Sequence, residues 1–177
     1  MRTLCLILLI ISALASGCAP TVYGIYDDKR TMGTMSSDKG IATDVKTTLM
    51  NNNFSKGWDI SVYCYYGKVY LVGEVPSDMY KKAESLARKC KGVRSVTSHW
   101  FPPRTGENAD LSIATSLRKN LIATKGLSST RIDTHVNSNR VVLLGVVNDN
   151  HEKELAVKAA KSTEGVKSVT SYLMLPQ

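Results

Sequence analysis

The sequence has few of the residues from which catalytic and metal sites are built. Among its 177 residues are three histidines and four cysteines. His99, His135 and His151 lie in separate predicted elements, and the chain has no HExxH motif, no C-x-x-C pair and no glycine-rich phosphate loop. These absences argue against an enzyme or a metal protein. We therefore expect no catalytic residue, no metal and no cofactor.

Long apolar runs are also scarce, and the longest one is too short to span a bilayer. It extends from Leu4 to Leu14, whereas a transmembrane helix needs about 20 apolar residues. One cationic residue, Arg2, precedes the run and small residues follow it, which is the layout of a secretory signal peptide. The sequence therefore predicts a signal peptide over residues 1–17 and an exported protein.

The cleavage site of this signal peptide has two interpretations. The stretch Leu14-Ala15-Ser16-Gly17-Cys18 resembles a lipobox, whereas Ala13-Leu14-Ala15 fits the A-x-A pattern of ordinary secretion. We favour lipidation of Cys18, because a cysteine directly after Gly17 would otherwise be coincidence. Ala19 replaces the aspartate that retains lipoproteins in the inner membrane, so the resemblance implies an outer-membrane anchor and a protein that faces the periplasm.

The remaining cysteines form a single pair. Cys5 leaves with the signal peptide and Cys18 would be acylated, so Cys64 and Cys90 remain. An even remainder in an oxidising compartment suggests a disulfide between them. The alternative is two buried free thiols that pack as small apolar residues. We favour the disulfide.

The chain is short of negative charge. It has 23 basic and 15 acidic side chains, a net charge of +8. This excess favours anionic partners such as lipid headgroups, glycans or nucleic acid. Because the protein is predicted to be exported, we expect no nucleic acid as a partner. The oligomeric state is left open.

An internal repeat divides the mature chain into two units. The segment Gly92–Ser98 recurs as Gly165–Ser171 with six of seven positions identical, and Ile41-Ala42-Thr43 recurs 72 residues later as Ile113-Ala114-Thr115. We therefore expect a tether over residues 18–37, domains over residues 38–101 and 109–177, and a linker over residues 102–108.

The periodicities within each unit predict the order α-β-β-α-β. Apolar residues at a four-residue spacing predict the first helix, and a hairpin follows with its turn at Tyr66-Gly67 or Ser138-Asn139. A second helix ends at Gly92 or Gly165, and the crossover to the last strand should be right-handed, which makes strands two and three parallel. The predicted fold class is α+β, with two small αββαβ domains that each pack a three-stranded mixed sheet on two helices.

This frame carries a family resemblance. The stretch Gly67–Val75, then a helix, then Gly92–Val96 resembles the BON domain, and the second unit repeats the pattern. With the lipobox, the chain is similar to the dual-BON-domain outer-membrane lipoproteins of Gram-negative bacteria. The resemblance implies a non-catalytic protein that binds anionic phospholipid and supports outer-membrane integrity. An alternative is an adaptor that docks an envelope or peptidoglycan-remodelling partner.

Two surfaces are candidates for the lipid contact. The first is a basic stripe on the second helix of domain one, for which an ordinary solvated helix face is the slightly favoured alternative. Each basic residue near an anionic leaflet would add about 1 kcal/mol. The second, which the resemblance permits, is the first helix of domain two. The candidate residues are Lys81, Lys82, Arg88, Lys89, Lys91 and Arg94 on the first surface, and Leu111, Ile113, Arg118 and Lys119 on the second.

The side of each sheet that points away from the helices is unusually apolar. In strands, side chains alternate between the two faces, so Tyr63, Tyr65 and Tyr70 should point away from the core of domain one, as should Tyr172 in domain two. Such a face needs a cover. We expect the domains to pack on each other or on residues 100–103, in preference to the alternative of a partner-binding surface.

Overall fold

A computed structural model of the protein describes residues 28–104 and 109–177. The predicted signal peptide, Cys18 and the first part of the tether lie outside the described residues. Domain one contains α1 (Met32–Asn52), α2 (Phe54–Trp58), β1 (Ile60–Tyr65), β2 (Lys68–Gly73), α3 (Tyr80–Arg88) and β3 (Ser95–Trp100). Domain two contains α4 (Asp110–Ala123), β4 (Ile132–Asn137), β5 (Arg140–Val146), α5 (Asn150–Lys161) and β6 (Ser168–Met174).

The sheet topology confirms the predicted fold class. In each domain the first two strands are antiparallel, and the crossover helix brings the third strand parallel to the second, in the order β1-β2-β3 and β4-β5-β6. The hairpin turns lie at Tyr66-Gly67 and Ser138-Asn139, and all four residues have positive φ angles. This is the backbone of a tight two-residue hairpin.

The helices cover one face of each sheet and form the two domain cores. In domain one, Ile41, Val45 and Leu49 lie on the buried side of α1, as their four-residue spacing predicts. They pack with Leu71 of β2 and with Ala83 of α3. Domain two repeats this packing with Leu117 and Leu121 of its first helix in the equivalent core. Among the described residues, no helix is both long and apolar enough to cross a membrane.

The start of domain one differs from the prediction. Residues 32–37, expected to belong to the tether, form the first turns of α1, because the Thr31 hydroxyl caps the helix by accepting from the Thr34 N–H at 3.1 Å. Arg30 is also docked on the domain, since its guanidinium donates to Asp28 and, at 2.9 Å, to Asp38. Residues 32–37 therefore belong to the first helix of domain one.

The two sheets face each other, which confirms the predicted domain packing. Between them, a third apolar cluster is separate from both domain cores. The Tyr65 hydroxyl donates to Asp133 of domain two at 2.6 Å. Trp100 does not join this interface, because it stacks on Tyr80 in domain one. The buried residues of the cluster are Tyr65, Val72, Phe101, Val142, Leu144 and Val146.

Candidate functional site

The basic stripe lies on the exposed side of α3. Ala83 and Ala87 bury the opposite side of this helix against the core. Residues at positions i, i+1, i+7 and i+8 of a helix share one face, so four basic side chains project together, and two more follow just beyond the end of the helix. All six are exposed: Lys81, Lys82, Arg88, Lys89, Lys91 and Arg94.

Little acidic charge offsets this face. Glu84 lies 3.9 Å from the Arg88 guanidinium, but it also accepts the Ser98 hydroxyl at 2.5 Å. Asp78 pairs with Lys56 at 3.5 Å, at the end of the helix away from Arg88. Within the part of the chain that the structure describes, no ion pair includes Lys81, Lys82 or Lys89. Their ammonium groups are therefore available to an external anion.

The equivalent helix of domain two has a different electrostatic character. Its exposed side mixes Lys158 and Lys161 with Glu154. Its first turn contains Glu152, which is buried and pairs with the buried Arg131 at 2.7 Å. Because both side chains of this pair are buried, they present no charge to a ligand at the surface. The basic stripe is thus specific to domain one.

The second predicted surface, on α4, needs correction. Ile113 is only 4% exposed, because it belongs to the buried stripe of the helix and meets the backbone at Gly165. Arg118 is exposed, but its Nη1 donates to the carbonyl oxygens of Ser129 and Ile132 at 2.9 and 3.4 Å.

Two apolar side chains do lie on the open side of α4. Leu111 is 81% exposed, and Ile122, which the sequence prediction missed, is 63% exposed. Lys119 is exposed beside them. The helical spacing that identifies the buried stripe could have found Ile122, because it falls outside that stripe.

Two buried aspartates were also missed by the sequence analysis. Asp38 of α1 accepts the N–H groups of Tyr66 and Gly67, both at 2.8 Å. Asp110 of α4 accepts the equivalent N–H groups of Ser138 and Asn139, both at 3.0 Å. Each carboxylate ties the first helix to the hairpin turn. The signal was present in the sequence, because the two aspartates are 72 residues apart, the offset of the repeat.

The predicted disulfide is not formed, since both cysteines are free thiols. The Cys64 sulfur donates to Asp38 at 3.4 Å, whereas the Cys90 sulfur lies 3.6 Å from the Thr48 hydroxyl. Asp38 and Thr48 are about 15 Å apart along α1. Both cysteines pack at one core, as the stripe pattern predicts, but at different levels of it. Burial and the Asp38 carboxylate raise the pKa of the Cys64 thiol to about 12.

The histidines do not form a metal site. Over residues 28–104 and 109–177, no group of three or more histidine, cysteine or acidic side chains could hold a metal ion. His99 and His135 lie at the domain interface instead: the His99 Nδ1 is 3.2 Å from the Tyr172 hydroxyl, and His135 stacks on Phe101. Burial lowers the pKa of both imidazoles.

Two αββαβ units packed sheet to sheet, one of which carries a basic helix, define a class of small α+β proteins built by domain duplication. The chain belongs to the BON domain family. The family model matches residues 37–99 and 109–175, which confirms the resemblance inferred from the repeated glycine and valine frame.

Three known proteins are similar to the chain over most of its length. The 21 kDa hemolysin of Actinobacillus pleuropneumoniae is 26% identical over 82% of this chain and 78% of its own. Osmotically-inducible protein Y of Escherichia coli strain K12 is 28% identical over 80% of this chain and 74% of its own. Outer membrane lipoprotein DolP of Haemophilus influenzae is 26% identical over 86% of both chains.

Proposed function

We propose that the chain is a non-catalytic envelope lipoprotein, anchored through Cys18, whose first domain binds the surface of anionic membranes through the basic face of α3. The proposal includes a role in outer-membrane integrity. Among the similar proteins, one is named an outer membrane lipoprotein and another is named for osmotic induction. Both names suit an exported protein of the cell envelope.

The observation that carries the proposal is the exposed cluster of basic side chains on one helix. A basic side chain held near an anionic leaflet contributes about 1 kcal/mol, and the attraction falls off within a Debye length. Binding by a few such residues is weak for a free domain. An acyl chain at Cys18 would hold the domain close to the membrane, and two such signals together give stable attachment.

The packing of the domains permits a choice between the two candidate surfaces. Because the sheets face each other, the helices of domain one and those of domain two form the two outer layers of the molecule. The basic face of α3 and the exposed side of α4 therefore belong to opposite layers. A flat bilayer can cover only one of these layers at a time. Substitutions on each surface in turn should therefore show which one contacts the membrane.

Sedimentation with vesicles tests the proposal on residues 19–177, which retain every described residue but lack the acyl cysteine. Wild-type protein should bind vesicles that contain phosphatidylglycerol, and the bound fraction should fall as salt rises. Replacement of Lys81, Lys82, Arg88 and Lys89 by glutamate should abolish binding. The matched control reverses Lys153, Lys158 and Lys161 on α5 of domain two, and it should bind much as the wild type does.

Other results would redirect the proposal. Binding that survives the quadruple reversal but is lost with Leu111→Ala and Ile122→Ala would place the contact on α4. If wild-type protein binds no anionic vesicle at any salt concentration, lipid binding is wrong, and the adaptor function becomes the better explanation of the exposed charge.

A further inference from the structure

Domain one exposes a tryptophan next to its basic helix. Trp58 ends the short helix α2 and is 65% exposed. The chain contains only one other tryptophan, Trp100. Trp100 stacks on Tyr80 with the ring centroids 5.0 Å apart and packs against the core. The two indoles thus differ sharply in their access to solvent.

The backbone that carries Trp58 is firmly held. The Lys46 ammonium donates to the carbonyl oxygens of Gly57, Trp58 and Ile60 at 2.9, 2.8 and 2.7 Å. The same ammonium lies 5.6 Å from the centroid of the indole ring, within the range of a cation–π contact. Gly57 is buried so closely against α1 that a Cβ there would lie 2.6 Å from the Leu49 backbone. The indole is therefore presented from a rigid support.

Contacts place Trp58 at the same end of the helical layer as the start of α3. Lys56, in α2, pairs with Asp78 in the 3-10 turn that leads into α3. Both helices also pack against α1. Lys81 and Lys82 lie in the first turn of α3, directly after this connection. An exposed indole and exposed ammonium groups thus share one region of domain one.

Domain two lacks this combination. With Ile60 aligned on Ile132, the position of Trp58 is occupied by Thr130, which lies in a 3-10 turn. The second helix of that domain also lacks the uniform basic face of α3. Two independent features, an aromatic side chain and a field of positive charge, therefore distinguish the same outer layer of the same domain.

We infer that Trp58 is an interfacial anchor, which enters the headgroup region of an anionic bilayer while the basic face of α3 contacts lipid phosphates. This inference rests on the proposed function. Tryptophan combines a large apolar ring with one N–H donor, and it concentrates at membrane–water interfaces for that reason. Charge alone would give binding that salt removes, whereas an inserted indole adds a contribution that salt does not screen.

Tryptophan fluorescence tests the inference directly. In residues 19–177 with Trp100→Phe, Trp58 is the sole fluorophore of its kind. Vesicles of equal parts phosphatidylglycerol and phosphatidylcholine should shift its emission to the blue, and lipids brominated close to the headgroup should quench it. The reciprocal Trp58→Phe protein, which reports Trp100, should show neither change. Circular dichroism of both proteins checks that the fold is retained.

Sedimentation with the same vesicles supplies the second measurement. Trp58→Ala should lower the partition coefficient severalfold at every salt concentration, and Trp58→Phe should restore part of the loss. Ile122→Ala is the matched control, because Ile122 has a similar exposed fraction in domain two, and it should bind as the wild type does.

The other possible outcomes distinguish a failure of this inference from a failure of the proposed function. If vesicles bind the Trp100→Phe protein without shifting or quenching its emission, the inference is wrong and the proposed function stands. If Ile122→Ala weakens binding while Trp58→Ala does not, the anchor is in domain two. If vesicles bind none of these proteins, the proposed function and the inference both fail.

Discussion

At the scale of single residues, the buried aspartates of the two first helices, Asp38 and Asp110, have the most demanding role. Asp38 accepts two backbone N–H groups, the Arg30 guanidinium and the Cys64 thiol. The hairpin turn at Tyr66-Gly67 has positive φ angles and lies beyond the last strand pair, Tyr65 with Lys68. A carboxylate can accept all four donors, because it has about four lone-pair sites and no proton to give.

Asp38→Asn should therefore destabilise the protein by about 1–3 kcal/mol, the cost of leaving a buried donor without an acceptor. The amide group keeps one oxygen acceptor but turns its own N–H groups toward other donors. Chemical denaturation would measure the change in the free energy of unfolding. Asp44→Asn, on the exposed side of the same helix, should change it by less than about 0.5 kcal/mol. Equal effects of the two substitutions would contradict this role.

At the scale of elements, each hairpin depends on a glycine that pairs with the isoleucine at the start of its first strand. Gly73 pairs with Ile60, and Gly145 pairs with Ile132. Gly145 has a φ of 140°, and a Cβ there would overlap the carbonyl oxygen of Arg131. The backbone of the preceding turn thus crosses the strand where a side chain would stand.

Gly145→Ala should destabilise domain two by about 2 kcal/mol or more, because it combines a strained backbone with a steric overlap. Gly40→Ala is the opposite case. Gly40 lies within α1 with no atom near the position of a Cβ, and alanine should stabilise the helix by about 0.5–1 kcal/mol. Thermal unfolding of both variants gives the comparison, and a stable Gly145→Ala protein would show that β5 can shift away.

Elements were predicted well where the sequence is periodic. They were predicted poorly where a local contact determines whether the element forms. The repeat of Gly92–Ser98 and the spacing of Ile41, Val45 and Leu49 specified the order of elements and their buried sides. Helix α2 was missed, because its five residues have no period and begin at the Asn53 cap. The disulfide prediction was wrong because it rested on the number of cysteines. That number does not show at which level of the core each sulfur lies.

At the scale of the whole molecule, the two sheets enclose two half-buried histidines together with aromatic residues. His135 stacks on Phe101 from domain one and lines a small cavity of about 290 Å³ with Asp59, Glu74, Arg104 and Asn137. Burial lowers its pKa, as do Arg104 and His99, while Asp110 raises it. His99, near Tyr172, has a pKa lowered by burial alone.

The interface should therefore weaken in acid. A histidine whose pKa is lower in the folded protein than in the unfolded chain binds more protons when unfolded. This contribution to stability should be fully present above about pH 6.5 and should be lost as the pH falls below that value. The free energy of unfolding, measured across this range, should depend less on pH in His135→Gln. His151→Gln, at an exposed position of α5, should keep the full dependence. A flat profile for the wild type would contradict the prediction.

The apolar faces between the sheets also explain why the repeat occurs within one chain. Either face alone would present tyrosine and valine side chains to water, and it would associate with the same face of another copy. A short connection converts that encounter into an intramolecular event, with an effective concentration that reaches the millimolar range for short linkers. Duplication has thus made the pairing of the two units independent of how many copies of the protein the cell contains.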